Sequence, residues 1–228
     1  MTSLRLDKES LSKALVTVVV LAVFSVIASV VVLVFKRFRR RVEVVVLEDD
    51  FDDGFLDASK WWVVGNVSEG DGVVKLACGD GEYSNITTVK PVDLSGDVEV
   101  AVDVVSTDNK ETFLVLTNKD EASLDLYNVG FDKVYKELIV QRKVAGQPAG
   151  WYPDANRFTE KVDVFSGRLR VKLTSDGFIE FYWNNILKHR EVFQLRTRQL
   201  YVICSAMGKS PHTGLTEFDN FKIKRIVG

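Results

Sequence analysis

The residues able to do chemistry in this chain are scattered. Glu99 and Asp103 stand four positions apart in DVEVAVDVV, so on a strand they share one face, as an acid and base pair must. No third acid joins them. Glu180 is alone between aromatic residues in GFIEFYWN, and neither His189 nor His212 has an acid or nucleophile beside it in a recognisable arrangement. These acids read as solvated strand residues, and no enzyme is expected. The two cysteines, Cys78 and Cys204, are too few and too far apart for a zinc site or a disulfide scaffold. They read either as small core residues or as one bridge between neighbouring strands, which would imply an oxidising compartment. No CxxC is present, which argues against redox chemistry.

Short strands must position these groups. From Val42 the chain reads VEVVVLEDDF, then an acidic, turn-rich segment from Asp52 to Trp62, then a series of β-like runs. These are VVKLACG, ITTVKPV, DVEVAVDVV, ETFLVLTN, ASLDLYNVGF, KVYKELIVQRK, RLRVKLTS, GFIEFYWN, ILKHREVFQ, QLYVICSAMG and TEFDNFKIKRI. In RLRVKLTS, Leu169, Val171 and Leu173 alternate with Arg168, Arg170, Lys172 and Thr174. That period of two puts one face in a core and one in water, as in antiparallel sheets packed face to face. Gly70-Asp71-Gly72, Gly79-Asp80-Gly81, Ser95-Gly96-Asp97 and Ser175-Asp176-Gly177 supply tight turns. The pattern predicts an all-β sandwich or jelly roll. Alternation also splits Trp61 from Trp62, and Tyr182 from Trp183, so one of each pair faces a core.

Ahead of the strands, Ala14 to Phe35 carries no charge. As a helix it would span about 33 Å, against roughly 30 Å of bilayer hydrocarbon, which predicts one transmembrane helix. The expected organisation is a head over 1–13, the membrane helix over 14–35, a basic juxtamembrane segment over 36–41 and a sandwich over 42–228. Lys36-Arg37-Phe38-Arg39-Arg40-Arg41 follows the helix, so a count of basic residues places the body inside the cell. The sequons Asn66-Val67-Ser68 and Asn85-Ile86-Thr87, with the domain type argued below, lean it outward, as a single-pass protein in contact with lipid. The formal net charge is −2 over 228 residues, and the basic run lies beside the helix rather than on the body, which argues against nucleic acid as a partner.

Three segments carry a resemblance: LEDDFDDGFLDASKWW, the hairpin SDGFIEFYWNNILKHRE and the closing EFDNFKI. Together, and in this order, they resemble the concanavalin A-like lectin/glucanase superfamily in its laminin G-like and sugar-binding branches, over roughly Val42 to Gly228. The resemblance implies two antiparallel sheets with the first and last strands adjacent. Asn184-Asn185 suits the hairpin turn, because asparagine tolerates left-handed backbone. Glycosidases of the superfamily carry E-x-D-x-x-E on one strand; that spacing is absent here. Many relatives hold a structural calcium with an aspartate of the last strand, which matches Asp219, beside the acidic domain start, where Asp50 lies. The alternative for that cluster is a solvated acidic turn.

Glycan recognition needs aromatics to stack on sugar rings and polar groups for the hydroxyls. The long irregular stretch Ala145 to Thr159, AGQPAGWYPDANRFT, offers Trp151, Tyr152, Asp154 and Asn156, with Arg157 as a further donor. Alternatively Trp151 and Tyr152 pin that loop to the sandwich. The expected function is noncatalytic binding of a glycan or a surface protein at a cell or virion envelope. The competing expectation is a structural subunit, possible as a homo-oligomer, because Lys13-Ala14-Leu15-Val16 resembles the processing site of archaeal type IV pilin-like precursors.

Overall fold

The computed structural model describes residues 8–38, 42–118, 125–144 and 157–227, with helix side chains over 16–31. The chain divides into a helical unit ending at Val42 and a β unit, Glu43–Val227. The helix α1 runs Lys8–Phe38. Within its described side chains Ser25 Oγ donates to the Leu21 carbonyl and Ser29 Oγ to that of Ser25, so both hydroxyls are satisfied one turn back. Among the described residues no helix is long and apolar enough to cross a membrane. The single-pass anchor and the membrane localisation expected from 14–35 are corrected accordingly.

The β unit contains, among the described residues, β1 (Val42–Asp49), β2 (Trp61–Val64), β3 (Asn66–Gly70), β4 (Val73–Cys78), β5 (Tyr83–Thr88), β6 (Val92–Asp93), β7 (Asp97–Thr107) and β8 (Glu111–Thr117). It continues with β9 (Leu126–Asp132), β10 (Glu137–Lys143), β11 (Arg157–Lys161), β12 (Gly167–Leu173), β13 (Phe178–Trp183), β14 (Ile186–Val192), β15 (Gln199–Met207) and β16 (Gly214–Val227). They form two antiparallel sheets. The first has the order β14-β13-β12-β7-β16-β4-β3, with β1 also on β16; the second has the order β11-β10-β9-β8-β15-β5-β2, with β6 also on β15. First and last strands are adjacent, as expected. The short β2 and β3 and the edge strand β11 were not legible as strands, and β11 takes residues 157–159 out of the expected loop.

Between the sheets lies one large core, to which β7 gives Val98, Val100, Val102 and Val104, and β8 gives Leu114 and Leu116. Trp61 and Trp183 are the core members of their pairs; Trp62 faces out. Asn184 and Asn185 both take positive φ, 48° and 66°, in the β13–β14 turn. Cys78 and Cys204 face this core as free thiols, which removes the bridge reading. Where the chain crosses from β7 to β8, Thr107, Thr112, Thr216 and Asn109 form a buried hydrogen-bonded cluster, in which Asn109 donates through Nδ2 while its Oδ1 has no partner.

Asp49 closes the opening segment onto the sandwich. Its carboxylate accepts from Trp61 Nε1 at 2.7 Å and from the Phe51 N–H at 3.1 Å, and Lys60 Nζ lies 3.3 Å away. Trp61 in turn meets Phe221 of β16 edge-on, with centroids 4.8 Å apart. Losing that carboxylate strands two buried donors. Asp49→Ala is expected to cost ~2–4 kcal/mol of stability, read by urea unfolding of the full chain. A change below 0.5 kcal/mol would show that the clasp is not structural.

Candidate functional site

β8 and β9 are buried along nearly their whole length, on both parities. One face of each joins the core. On the other face, the outer side of the second sheet, Phe113, Val115, Leu126 and Ile139 form a separate apolar cluster with Ile203 packed against it. Its floor is tight at Gly130, where a Cβ would fall 2.8 Å from both Cα and Cδ1 of Phe113. Only glycine lets the Phe113 ring lie there.

Polar side chains are set into this floor. One register row runs Trp62, Thr87, Ile203, Val115, Asn128, Gln141 and Arg157 across seven strands, about 29 Å at ~4.8 Å per strand. Asn128 is 5% exposed, and its Oδ1 is buried without a hydrogen-bond partner. Asn85 Oδ1, one row away on the same face beside Ser205, is in the same state. Gln141 is buried next to Asn128. At the β2–β5 side the face opens, with Trp62 59% and Tyr83 57% exposed. Apolar floor, amide acceptors and exposed aromatics together can take a ligand with C–H faces and hydroxyl donors.

Of the residues expected to bind ligand, Trp151, Tyr152, Asp154 and Asn156 lie outside the described residues. Arg157, on β11, is the register partner of Gln141, and its side chain lies outside those described. The chain between β10 and β11 leaves from the end of the sheet at which Thr117, Leu126 and Lys143 lie in register.

At the opposite end another row brings Glu111, Asp132 and Glu137 side by side on three strands. Lys110 Nζ is 2.6 Å from Glu111 and 4.0 Å from Asp132, and Lys161 pairs with Glu137 at 3.0 Å. Asp132 also accepts from the Tyr135 N–H.

The acids singled out in the sequence sit on the outer face of the other sheet and are ion-paired rather than merely solvated. Arg168 bridges both oxygens of Asp103, and Glu99 meets Arg170 and Lys224. Glu180 accepts from Tyr182 and pairs with Arg190 at 3.2 Å. His189 stacks on Phe158.

Asp219 lies opposite Asp103 in the β16–β7 register, and Asn220 Nδ2 donates to both carboxylates. Burial pushes the Asp219 carboxyl above the ordinary aspartate range, the Asn220 N–H pulls it back, and the charges of Asp103, Asp52 and Asp50 push it further up. This crowding of hard oxygens fits calcium in kind. Among the described residues, however, no three acidic, histidine or cysteine side chains converge as a metal would need. A cation here would therefore also depend on backbone carbonyls and water. The adjoining cleft, about 460 Å³, is lined by Asp49, Asp50, Lys60 and Arg168 among others.

No protein-family model matches the chain, and no curated protein matches it. Solved structures do. The laminarinase catalytic domain from Thermotoga maritima superposes with a TM-score of 0.61 at 10% identity, covering 82% of this chain and 99% of that one. β-Agarase B from Zobellia galactanivorans gives 0.61 at 12%, covering 82% and 94%. The Emp47p carbohydrate recognition domain gives 0.53 at 10%, covering 79% and 93%. The sandwich shares the jelly-roll fold of these domains. At these identities the likeness bears on fold alone. The expectation that the chain is not an enzyme is nevertheless overturned as a reading of its fold, because laminarinase, glucanase and agarase share the architecture. A missing E-x-D-x-x-E excludes one arrangement of acids, not catalysis.

Asn128, Gln141, Asn85 and Trp62 were not singled out as binding residues from the sequence. The usable signal was the lack of alternation in ETFLVLT and LYNVGFD, which marks strands covered on both faces.

Glu69 gives a test of the acidic segment. Its carboxyl is pushed up from 4.5 to about 7, first by burial and then by a hydrogen bond to Asp53, against the Gly54 N–H that donates to it. The folded state thus holds this proton more tightly than the unfolded chain. Its stabilising contribution is complete below pH 4.5 and is lost as pH rises through about 7. In metal-free buffer Glu69→Gln should melt with the native protein at pH 4 and higher than it at pH 8, by roughly 2–4 °C. Equal melting at both pH values would refute the shift.

Proposed function

We propose that this protein binds glycans across the outer face of its second sheet. The observation that carries the reading is Asn128, a buried amide whose carbonyl oxygen has no donor, set in an apolar cluster. Leaving such an acceptor unmet costs about 1–3 kcal/mol, which a sugar hydroxyl would recover on binding. Phe113, Val115 and Ile139 form the buried floor, and the exposed rings of Trp62 and Tyr83 offer the surface on which sugar C–H faces would stack. That similar folds include a carbohydrate recognition domain and several glycanases supports the same reading. Trp151, Tyr152, Asp154, Asn156 and Arg157 are kept in the proposal as ligand contacts.

The experiment is Asn128→Leu in the full chain, tested against laminarin and agar oligosaccharides by titration calorimetry. Removing an unmet acceptor should raise stability by ~1 kcal/mol while weakening binding about tenfold or more. Unchanged affinity would remove Asn128 from the site, and absence of binding to any glycan by the native protein would refute the function.

Glycoside hydrolysis is a second reading, favoured by the row Glu111, Asp132 and Glu137 on the same face. Directly opposed strand residues stand about 4.5–5.5 Å apart at Cα, within range of the ~5 Å carboxyl separation used by retaining glycosidases. New reducing ends on incubation with those oligosaccharides, lost in Asp132→Asn and in one of Glu111→Gln and Glu137→Gln, would establish it. Bound glycan left intact would leave binding alone. A structural calcium beside Asp219 and Asp50 is part of the proposal. It predicts a calcium-dependent rise in melting temperature that Asp219→Asn removes, and no rise would discard it.

A further inference from the structure

We infer that the glycan taken by this face carries an anionic substituent, a carboxylate or a sulfate ester, that docks at Lys143; this rests on the glycan reading above. Lys143 ends β10 on the outer face, and it is partly buried. Its row neighbours are Leu126 on β9, Thr117 on β8 and Tyr201 on β15, none of them acidic. Along its own strand it stands two residues from the buried Gln141, whose partner across the sheet edge is Arg157.

The two ends of the face differ in how their charges are used. At the far end Lys110 and Lys161 are committed to Glu111, Asp132 and Glu137. At the near end the acids among the described residues are committed elsewhere. Asp125 is fully buried and accepts from the Arg196 N–H, and Glu191 pairs with Arg142 at 2.9 Å. Lys143 is left among the described residues with no ion pair or hydrogen bond. An ammonium drawn partly out of water without a counter-charge is unfavourable, and an anion brought by a ligand would correct that. The amides of Asn128 and Gln141 would hold the neighbouring sugar hydroxyls, so that one face reads the ring and its charge together. A lysine suits this task as a compact charge that accepts either a carboxylate or a sulfate.

Three probes of matched length separate the cases in calorimetric titrations of the full chain: neutral β-1,3-glucan, oligogalacturonate and sulfated galactan. At low salt one or both anionic probes should bind at least about tenfold tighter than the neutral one, and the advantage should shrink in 0.5 M NaCl by screening. Whichever anionic probe wins identifies the substituent. Lys143→Gln should erase the preference while leaving neutral-glycan affinity within about twofold, and Lys143→Arg should keep it. Folding of each variant is read from its melting curve; should Lys143→Gln fail to fold, the native salt dependence and Lys143→Arg still decide. Equal binding of neutral and anionic probes, or a preference that survives Lys143→Gln, overturns the inference while the glycan reading stands. No binding of any probe by the native protein overturns both.

Discussion

The central constraint in this molecule is that β8 and β9 are covered on both faces. In an antiparallel sandwich the outer side of a strand ordinarily meets water, and its polar residues are satisfied there. Here Asn128, Gln141 and Thr117 are taken out of water together with Phe113, Val115 and Ile139. A buried polar group must find a partner or carry the desolvation cost, and Asn128 has a carbonyl that finds none. The rest of the structure supports this face. The β7–β8 corner, with its threonine and asparagine cluster, sets where β8 begins, and Gly130 lets Phe113 close the floor.

The first sheet solves its outer face differently. Several acidic and basic residues of β7, β12, β13 and β16 are paired across strands, as with Asp103 and Arg168 or Glu99 and Lys224, while Asp219 faces other carboxylates. The two outer faces are therefore chemically distinct: one neutralises itself, and the other leaves acceptors and a cation unmet. That asymmetry is why the ligand face is assigned to the second sheet.

The opening acidic segment has its own logic. Asp49 is used inward, holding the Trp61 indole and the Phe51 amide against β16. Asp50, Asp52 and Asp53 are left crowded near Asp219 and Glu69, whose carboxyls are both held above their ordinary range. Repulsion of this kind is a stability cost that protonation relieves, and that a bound cation would relieve as well.

Much of the architecture was legible in local pattern. Alternation in RLRVKLTS marked a strand with one charged face, Asn184-Asn185 marked a hairpin turn, and the closing EFDNFKI pointed to a last strand beside the first. Those features depend on neighbours within a few residues, where backbone sterics and the period of two act directly. The ligand face was not legible, because its members are brought together by pairing of distant strands: Trp62 reaches Asn128 only through β5, β15 and β8. For the same reason Glu99 and Asp103 looked available until Arg170, Lys224 and Arg168 were placed against them. By itself the sequence determined where strands and turns fall. Which side chains are buried, paired or left waiting was decided only by the tertiary structure, since burial and partnership depend on contacts between residues far apart in the chain.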